Sequence, residues 1–180
     1  VTVPKDAGFT DNTADAWYYD AINRCAAAGI LNGNGDGTVT PEAPITRERA
    51  MVMLARALGI EPIRKPDLTK YTDAAQVSAY AQGYVAALIE AGIVGGVTAD
   101  ELAPQDNITR AEFAQIFYNI IGTYIVSKGT YDKDIKGSVL IRTDDVELKN
   151  LTVDGDLIIG CGAADGKITL DNVTVKGRLL

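Results

Sequence analysis

Residues 45–49 read Ile-Thr-Arg-Glu-Arg, and residues 108–112, 63 positions later, read Ile-Thr-Arg-Ala-Glu. The same offset relates further residues, namely Gly29 to Gly92, Ile30 to Ile93, Pro41 to Pro104 and Gly59 to Gly122. Self-similarity at a fixed period is the signature of a repeated structural unit. Two copies of one unit therefore occupy about residues 9–60 and 71–122.

Each copy has the pattern of a helix, a loop and a second helix. In the first helix of the first copy, Trp17, Ala21, Cys25 and Ala28 recur at helical spacing before Gly29, a typical C-terminal glycine. The second helix has an apolar face in both copies, made of Ala50, Met51, Leu54, Ala57 and Leu58 and of Phe113, Ala114, Phe117, Ile120 and Ile121. Because one unit alone buries little surface, we expect these faces to be buried and the units to pack on one another.

The last third of the chain changes to a strand-like pattern. Residues 146–155 read Val-Glu-Leu-Lys-Asn-Leu-Thr-Val-Asp-Gly, and residues 168–177 read Ile-Thr-Leu-Asp-Asn-Val-Thr-Val-Lys-Gly. Short β segments repeating at this length predict the opening coils of a right-handed parallel β-solenoid, with Asn150 and Asn172 stacked in a turn. A β-sandwich of hairpins is the alternative. We expect the apolar edge of the last coil to be covered by further sequence or by self-association.

Composition excludes several classes of function. The chain has 180 residues, with 17 Lys plus Arg against 24 Asp plus Glu, and its net charge of −7 disfavours binding to nucleic acid. The absence of histidine excludes His-dependent triads and His metal sites. Cys25 and Cys161 are far apart and are predicted to be apolar fillers. No run is long enough for a membrane helix, and we expect no cofactor and no metal.

Residues 108–112 also carry a local chemical signal. Thr109 and Glu112 have the spacing of a capping box, in which each satisfies a main-chain N–H at the start of a helix. Arg110 then lies in the first turn, where the helix dipole favours acids over bases. An arginine beside the free amides of a helix start makes a clamp for a carboxylate or phosphate. A plain helix start is the alternative.

The order of these motifs resembles the S-layer homology repeat, with Phe-Thr-Asp, Trp17, Ala-Gly-Ile, Gly-Asp-Gly-Thr, a proline and Ile-Thr-Arg in sequence. The resemblance covers residues 9–58 and 71–121. It implies a helical bundle, usually of three repeats, that binds a pyruvylated secondary cell-wall polysaccharide and anchors a secreted protein to the bacterial cell wall. The glycan-binding residues that it implies are Arg110, Thr109, Glu112, Arg47, Thr46 and Trp17.

The first repeat departs from the Thr-Arg-Ala-Glu motif of the family. Glu48 stands at the alanine position and Arg49 at the glutamate position, so this copy lacks the reciprocal capping carboxylate. Trp17 also has a structural interpretation, as a core anchor of its helix. The resemblance leaves a third repeat to be supplied upstream or by a partner chain.

We therefore predict an α+β chain with S-layer homology repeats at residues 1–61 and 62–125 and a solenoid segment at 126–180. Two prolines, Pro62 and Pro66, mark the linker between the repeats. The predicted function is non-catalytic anchoring outside the cell. The alternatives are a fragment of a surface polysaccharide lyase or hydrolase with a catalytic β-helix, and a structural S-layer or adhesin component.

Two acidic motifs have both a functional and a plain interpretation. Residues 32–37, Asn-Gly-Asn-Gly-Asp-Gly, resemble the start of a calcium loop, but Ala43 stands where the bidentate glutamate is needed. A glycine-rich turn is the preferred interpretation. A second group, Asp144, Asp145, Asp154 and Asp156, has carboxylates that suit glycoside hydrolysis or calcium binding, or are solvated turn residues.

Overall fold

The computed structural model describes residues 6–160 and 166–180 and divides the chain into two compact units, 1–110 and 111–180. Four α-helices are present in the described residues: α1 (Tyr19–Ala27), α2 (Arg47–Ala57), α3 (Ala79–Glu90) and α4 (Arg110–Ile120). The strands there are β1 (Thr123–Ile125), β2 (Gly129–Tyr131), β3 (Val139–Ile141), β4 (Val146–Val153), β5 (Leu157–Ile159) and β6 (Ile168–Val175). Within these ranges no helix has the length and apolarity to cross a bilayer.

The two repeats of the first unit meet through their Ile-Thr-Arg segments. Thr46 and Asn107 form an antiparallel bridge, and the Ile108 N–H donates to the Ile45 carbonyl at 3.2 Å. The Thr46 hydroxyl caps α2 by accepting from the Arg49 N–H. Helix α2 of the first repeat then packs against α3 of the second. The predicted packing of one repeat on the other is therefore confirmed.

The aspartate of each Thr-Asp pair holds the later loop of its own repeat. Asp73 accepts the main-chain N–H groups of Leu102 at 2.9 Å and Ala103 at 2.7 Å. Asp11 makes the equivalent bond to the Thr40 N–H at 2.7 Å. Thr40 and Ala103 have φ angles of 45° and 48°, a left-handed conformation that is unfavourable for residues with a side chain. The carboxylates stabilise this backbone, and the same arrangement recurs in both copies.

The observed core of the first two helices differs from the predicted one. Trp17 precedes α1 and is 90% exposed, so the interpretation of Trp17 as a core anchor is wrong. Cys25 is half-buried, and Cys161 lies outside the described residues. The buried residues of α1 are Ile22 and Asn23, and those of the apolar stripe on α2 are Met51, Val52 and Ala55. The predicted phase of each helix was therefore off by about one residue.

The apolar face predicted on α4 is largely exposed, which corrects the expectation of burial. Phe113 is 51% exposed and Phe117 39% exposed, and their rings pack against each other with centroids 4.9 Å apart. Helix α4 is the counterpart of α2, which packs against α3. The residues that would correspond to α3 by the 63-residue offset are 142–153, and they include strand β4 instead of a helix. The chain therefore continues into strands at the point where a third repeat would supply the matching helix.

The second unit contains two parallel three-stranded sheets, with strand orders β1-β3-β5 and β2-β4-β6. Val146 pairs with Ile168 and Leu151 with Val173, which confirms the predicted register of 22 residues. The Asn172 Nδ2 donates to the Asn150 Oδ1 at 2.9 Å, so the predicted asparagine stack is confirmed. Since hairpins pair antiparallel, the predicted sandwich of hairpins is wrong for the described strands. The sheets establish parallel pairing, and the solenoid itself stays a prediction.

The inward side chains of these strands form one apolar core. It is made of Ile125, Ile135, Val139, Ile141, Val146, Leu148, Leu151, Val153 and Leu157. Several acidic residues of this unit lie outside the core and pair with cations, as with Asp156 and Arg178 at 2.7 Å and Asp154 and Lys176 at 2.7 Å. The Arg178 guanidinium lowers the pKa of Asp156 below its ordinary value. Parallel pairing thus brings oppositely charged side chains of neighbouring strands together.

Replacing Asp73 by alanine should destabilise the first unit. The change leaves the N–H groups of Leu102 and Ala103 without their acceptor, and each orphaned buried donor costs about 1–3 kcal/mol. We expect the free energy of unfolding in urea to fall by about 2–4 kcal/mol. Asp67→Ala is the control, because Asp67 is exposed and accepts hydrogen bonds from nearby Thr69. Equal unfolding midpoints for the two variants would show that the Asp73 bonds carry no stability.

Candidate functional site

The first unit holds a cavity of about 660 Å³ between the glycine-rich loop of the first repeat, helix α2 and the start of α3. Its apolar wall includes Ile22, Ile30, Val39, Pro41 and Met53. Its polar lining includes Asn32, Asn34, Arg49, Arg56 and Tyr80. A concave apolar surface with a few polar groups is the usual form of a ligand site. This cavity is therefore the candidate functional site.

Two arginines of α2 line the cavity, and each is held by an asparagine of the loop. Arg49 Nη1 donates to Asn34 Oδ1 at 3.0 Å. When the Asn32 side-chain amide is oriented with its oxygen toward Arg56, that oxygen accepts from Arg56 Nη1 at 3.1 Å and from Nη2 at 3.3 Å. The Arg56 guanidinium also lies 5.2 Å from the centre of the Tyr84 ring, within the range of a cation–π contact. These contacts orient both guanidinium groups before any ligand arrives.

Tyr80 reaches the same cavity from α3. It lies 63 positions after Trp17, so the two aromatic residues are equivalent in the two repeats. Its hydroxyl donates to Glu48 Oε1 at 3.3 Å. Partial burial, followed by the charge of Glu48, raises the pKa of Tyr80 above its ordinary value. Half-exposed, Tyr80 offers its ring and a hydroxyl to a ligand.

Glu48 belongs to the structure beneath the cavity. It is 3% exposed and accepts from the Ser78 N–H at 2.9 Å and the Ser78 hydroxyl at 2.7 Å. Ser78 is the N-cap of α3 and makes no cap bond with its own side chain. Glu48 of α2 thus accepts the hydrogen bond from the N-cap N–H of α3, which in a capping box is accepted by a glutamate of the same helix. The helix dipole of α3 favours this negative charge.

The structure gives Arg47 a different place from the one that sequence predicts. Arg47 is 4% exposed, and its Nε donates to the Leu102 carbonyl at 2.9 Å while Nη2 donates to the Gly95 carbonyl at 3.3 Å. A buried guanidinium bonded to main-chain carbonyls of the other repeat is not accessible to a glycan. The expectation that Arg47 binds the sugar is corrected, and Arg47 joins the two repeats.

The other predicted site residues lie at separate places. Trp17 is exposed before α1, and Thr46 is half-buried at the start of α2 beside Arg47. Thr109 and Arg110 are exposed at the start of α4, and Glu112 is half-buried in its first turn. None of these residues lines the cavity, within the part of the chain that the structure describes.

Sequence reasoning missed three residues of the cavity, and two signals point to them. Arg49 and Arg56 are seven positions apart on one helix, which places them on one face two turns apart. Applying the 63-residue offset to Trp17 leads to Tyr80. The glycine-rich stretch is a turn, in which Asp36 accepts from the Thr38 N–H at 3.0 Å. In residues 6–160 and 166–180 no group of three or more acidic, Cys or His side chains has the arrangement of a metal site.

Comparison with known proteins agrees with the repeat pattern. The family model of the S-layer homology domain matches residues 8–48 and 70–114. The chain is 34% identical over 119 residues to the surface-layer 125 kDa protein of Lysinibacillus sphaericus, covering 64% of this chain and 10% of that protein. It is 28% identical over 160 residues to an S-layer protein of Bacillus licheniformis, covering 86% of this chain and 17% of that protein.

An enzyme is also among the relatives. The chain is 34% identical over 116 residues to an amylopullulanase of Thermoanaerobacterium thermosulfurigenes, covering 63% of this chain and 6% of the enzyme. The chain thus spans less than a fifth of the length of each of these three relatives.

Exchanging Arg47 for glutamine should destabilise the first unit, whereas the same exchange at Arg49 should not. The Arg47 change removes bonds to the buried Leu102 carbonyl and the Gly95 carbonyl, and we expect the free energy of unfolding to fall by about 2–3 kcal/mol. Arg49 is exposed, so Arg49→Gln should change it by less than about 0.5 kcal/mol. Urea unfolding of both variants measures the difference. Equal stabilities would refute the joining role of Arg47.

Proposed function

We propose that this chain anchors a secreted protein by binding an acidic secondary cell-wall polysaccharide, because residues 8–48 and 70–114 match the family model of the S-layer homology domain. S-layer homology segments are binding modules for cell-wall polymers and are not catalytic. The family and its S-layer relatives place the chain at the extracellular surface or cell wall. The identity of the polymer, and pyruvylated sugars in particular, belongs to the proposal.

The observation that carries the proposal is the cavity with Arg49 and Tyr80. A guanidinium binds a carboxylate with charge-assisted hydrogen bonds, which are about twice as strong as neutral ones. The Tyr80 hydroxyl and ring suit a sugar, which has both hydroxyl groups and an apolar face. A pyruvate substituent combines a carboxylate with a methyl group, and the cavity combines arginine with an apolar wall containing Ile30 and Met53. Arrangement and ligand chemistry therefore agree.

Arg110 is the second contact point in this proposal, with Thr109 and Glu112 beside it. Arg110 and Thr109 are exposed at the start of α4, where main-chain N–H groups and the helix dipole favour an anion. Trp17 is proposed as a further exposed contact, since it occupies in the first repeat the position that Tyr80 has in the second. These residues supplement the cavity, which is the main site.

We also propose that strands β1 to β6 belong to successive coils of the β-solenoid predicted for residues 126–180. Consecutive strands alternate between the two parallel sheets, and Leu179 continues the series by bridging to Leu157, 22 residues earlier. The asparagine stack between Asn150 and Asn172 supports the same arrangement. Such a segment would extend the anchored protein away from the wall, and nothing in its paired acidic residues favours a catalytic role over this one.

The test is co-sedimentation with Gram-positive cell-wall sacculi, before and after the secondary polysaccharide is extracted. We expect binding that disappears with the polymer and weakens as salt rises, because exposed charge pairs are screened. Arg49→Gln should weaken binding about tenfold or more. Arg110→Ala should weaken it less. Arg64→Gln is the matched control, since Arg64 is exposed in the linker between the repeats.

Two results would count against the proposal. Equal binding to intact and extracted sacculi would mean that the polysaccharide is not the ligand. Binding of Arg49→Gln at the level of Arg64→Gln would mean that the cavity is not the site, and a loss confined to Arg110→Ala would transfer the site to the start of α4.

A further inference from the structure

We infer, on the basis of the proposed function, that the cavity binds two anionic groups of one polymer chain at once. Arg49 would take one group and Arg56 the other. The ligand would then be a polysaccharide with an acidic substituent on successive units, rather than a single acidic sugar at a chain end.

The spacing of the two arginines sets the spacing of the anions. Seven residues of an α-helix span two turns and about 10 Å along the axis. Both side chains line the same cavity of about 660 Å³, which has room for more than one sugar ring. A ligand that engages both guanidinium groups would therefore lie along α2 and present two acidic groups on separate sugar units.

Both guanidinium groups are oriented without being neutralised. Asn34 and the Tyr80 hydroxyl oxygen hold Arg49, Asn32 holds Arg56, and these neutral oxygens supply no charge. A guanidinium has five N–H donors, more than one amide oxygen can occupy. The described residues that line the cavity include no Asp or Glu. The two positive charges are two helical turns apart in a cavity without a lining carboxylate, and a ligand with two negative charges can pair with both of them.

The second repeat lacks each part of this arrangement. The positions equivalent to Arg49 and Arg56 are Glu112 and Asn119, and the position equivalent to Asn34 is Val97. The pair is thus a property of the first repeat and not of the repeated helix–loop–helix unit. Arg49 stands where the motif has its capping glutamate, so α2 lacks the reciprocal capping bond. In its place, the arginine brings a positive charge to the cavity.

The test compares five proteins in binding to sacculi of Lysinibacillus sphaericus that retain their secondary polysaccharide. They are the unmodified chain, Arg49→Gln, Arg56→Gln, the double variant Met53→Arg/Arg56→Gln and the control Arg64→Gln. Met53 lines the cavity one turn from Arg49, so the double variant keeps the charge but shortens the spacing. We expect about tenfold or greater weakening for Arg49→Gln and for Arg56→Gln, and no recovery in the double variant.

Salt dependence supplies a measurement that does not depend on how well Arg56→Gln folds. If the cavity binds two anions, Arg49→Gln should reduce the part of the slope of log affinity against log salt concentration that the cavity contributes by about half. If the cavity binds one anion, this variant should keep only the salt dependence that Arg110 contributes at the start of α4.

The outcomes separate this inference from the proposed function. Wall binding that requires Arg49 but survives Arg56→Gln would overturn the two-anion inference and leave the anchoring function in place. Recovery of binding by Met53→Arg/Arg56→Gln would overturn the spacing argument. Absence of polymer-dependent binding by the unmodified chain would overturn the proposed function, and the two-anion inference with it.

Discussion

The helical unit depends on the contact that Arg47 and Glu48 make with the second repeat. Arg47 bonds to the carbonyls of Leu102 and Gly95, and Glu48 caps α3 through Ser78. Both side chains are buried, and their polar atoms bond to groups of the second repeat. Burying a charge is costly unless it is hydrogen-bonded, so this contact has a defined geometry and tolerates little displacement. It fixes α3 against α2, and with α3 it fixes Tyr80 at the cavity.

The two departures from the family motif, at consecutive positions, have separate consequences. Glu48 in place of alanine points into the contact between repeats and supplies the carboxylate that caps the neighbouring helix. Arg49 in place of glutamate gives up the reciprocal capping bond of α2 and brings a cation to the cavity. Consecutive residues on a helix differ by about 100° in direction. Glu48 therefore faces the contact between the repeats, and Arg49 faces the cavity.

The sequence predicted what depends on local order along the chain. The offset of 63 residues located both repeats, and the offset of 22 residues predicted the register of β4 with β6 and the Asn150–Asn172 stack. It did not predict which side of a helix is buried, because that depends on the neighbouring element. Helix α2 has α3 beside it, whereas the face of α4 with Phe113 and Phe117 is largely exposed. For the same reason, the sequence analysis named Arg110 and Arg47 as glycan-binding arginines and did not name Arg49: the motif identifies the helix start but not the direction of the next repeat.

The charge distribution explains how an acidic chain can bind an acidic polymer. The net charge of −7 repels a polyanion at long range, but salt screens that repulsion beyond about 8–10 Å. In the second unit, carboxylates such as Asp154 and Asp156 are paired with cations on adjacent strands, which reduces the field that they add. Arg49 and Arg56 line a concave, partly apolar surface, where water screens charge less than on an open face. Repulsion at a distance slows encounter, while attraction within the cavity slows release. Under the proposed function, the residence time of the ligand would decide selectivity, and a ligand that engages both arginines would dissociate most slowly.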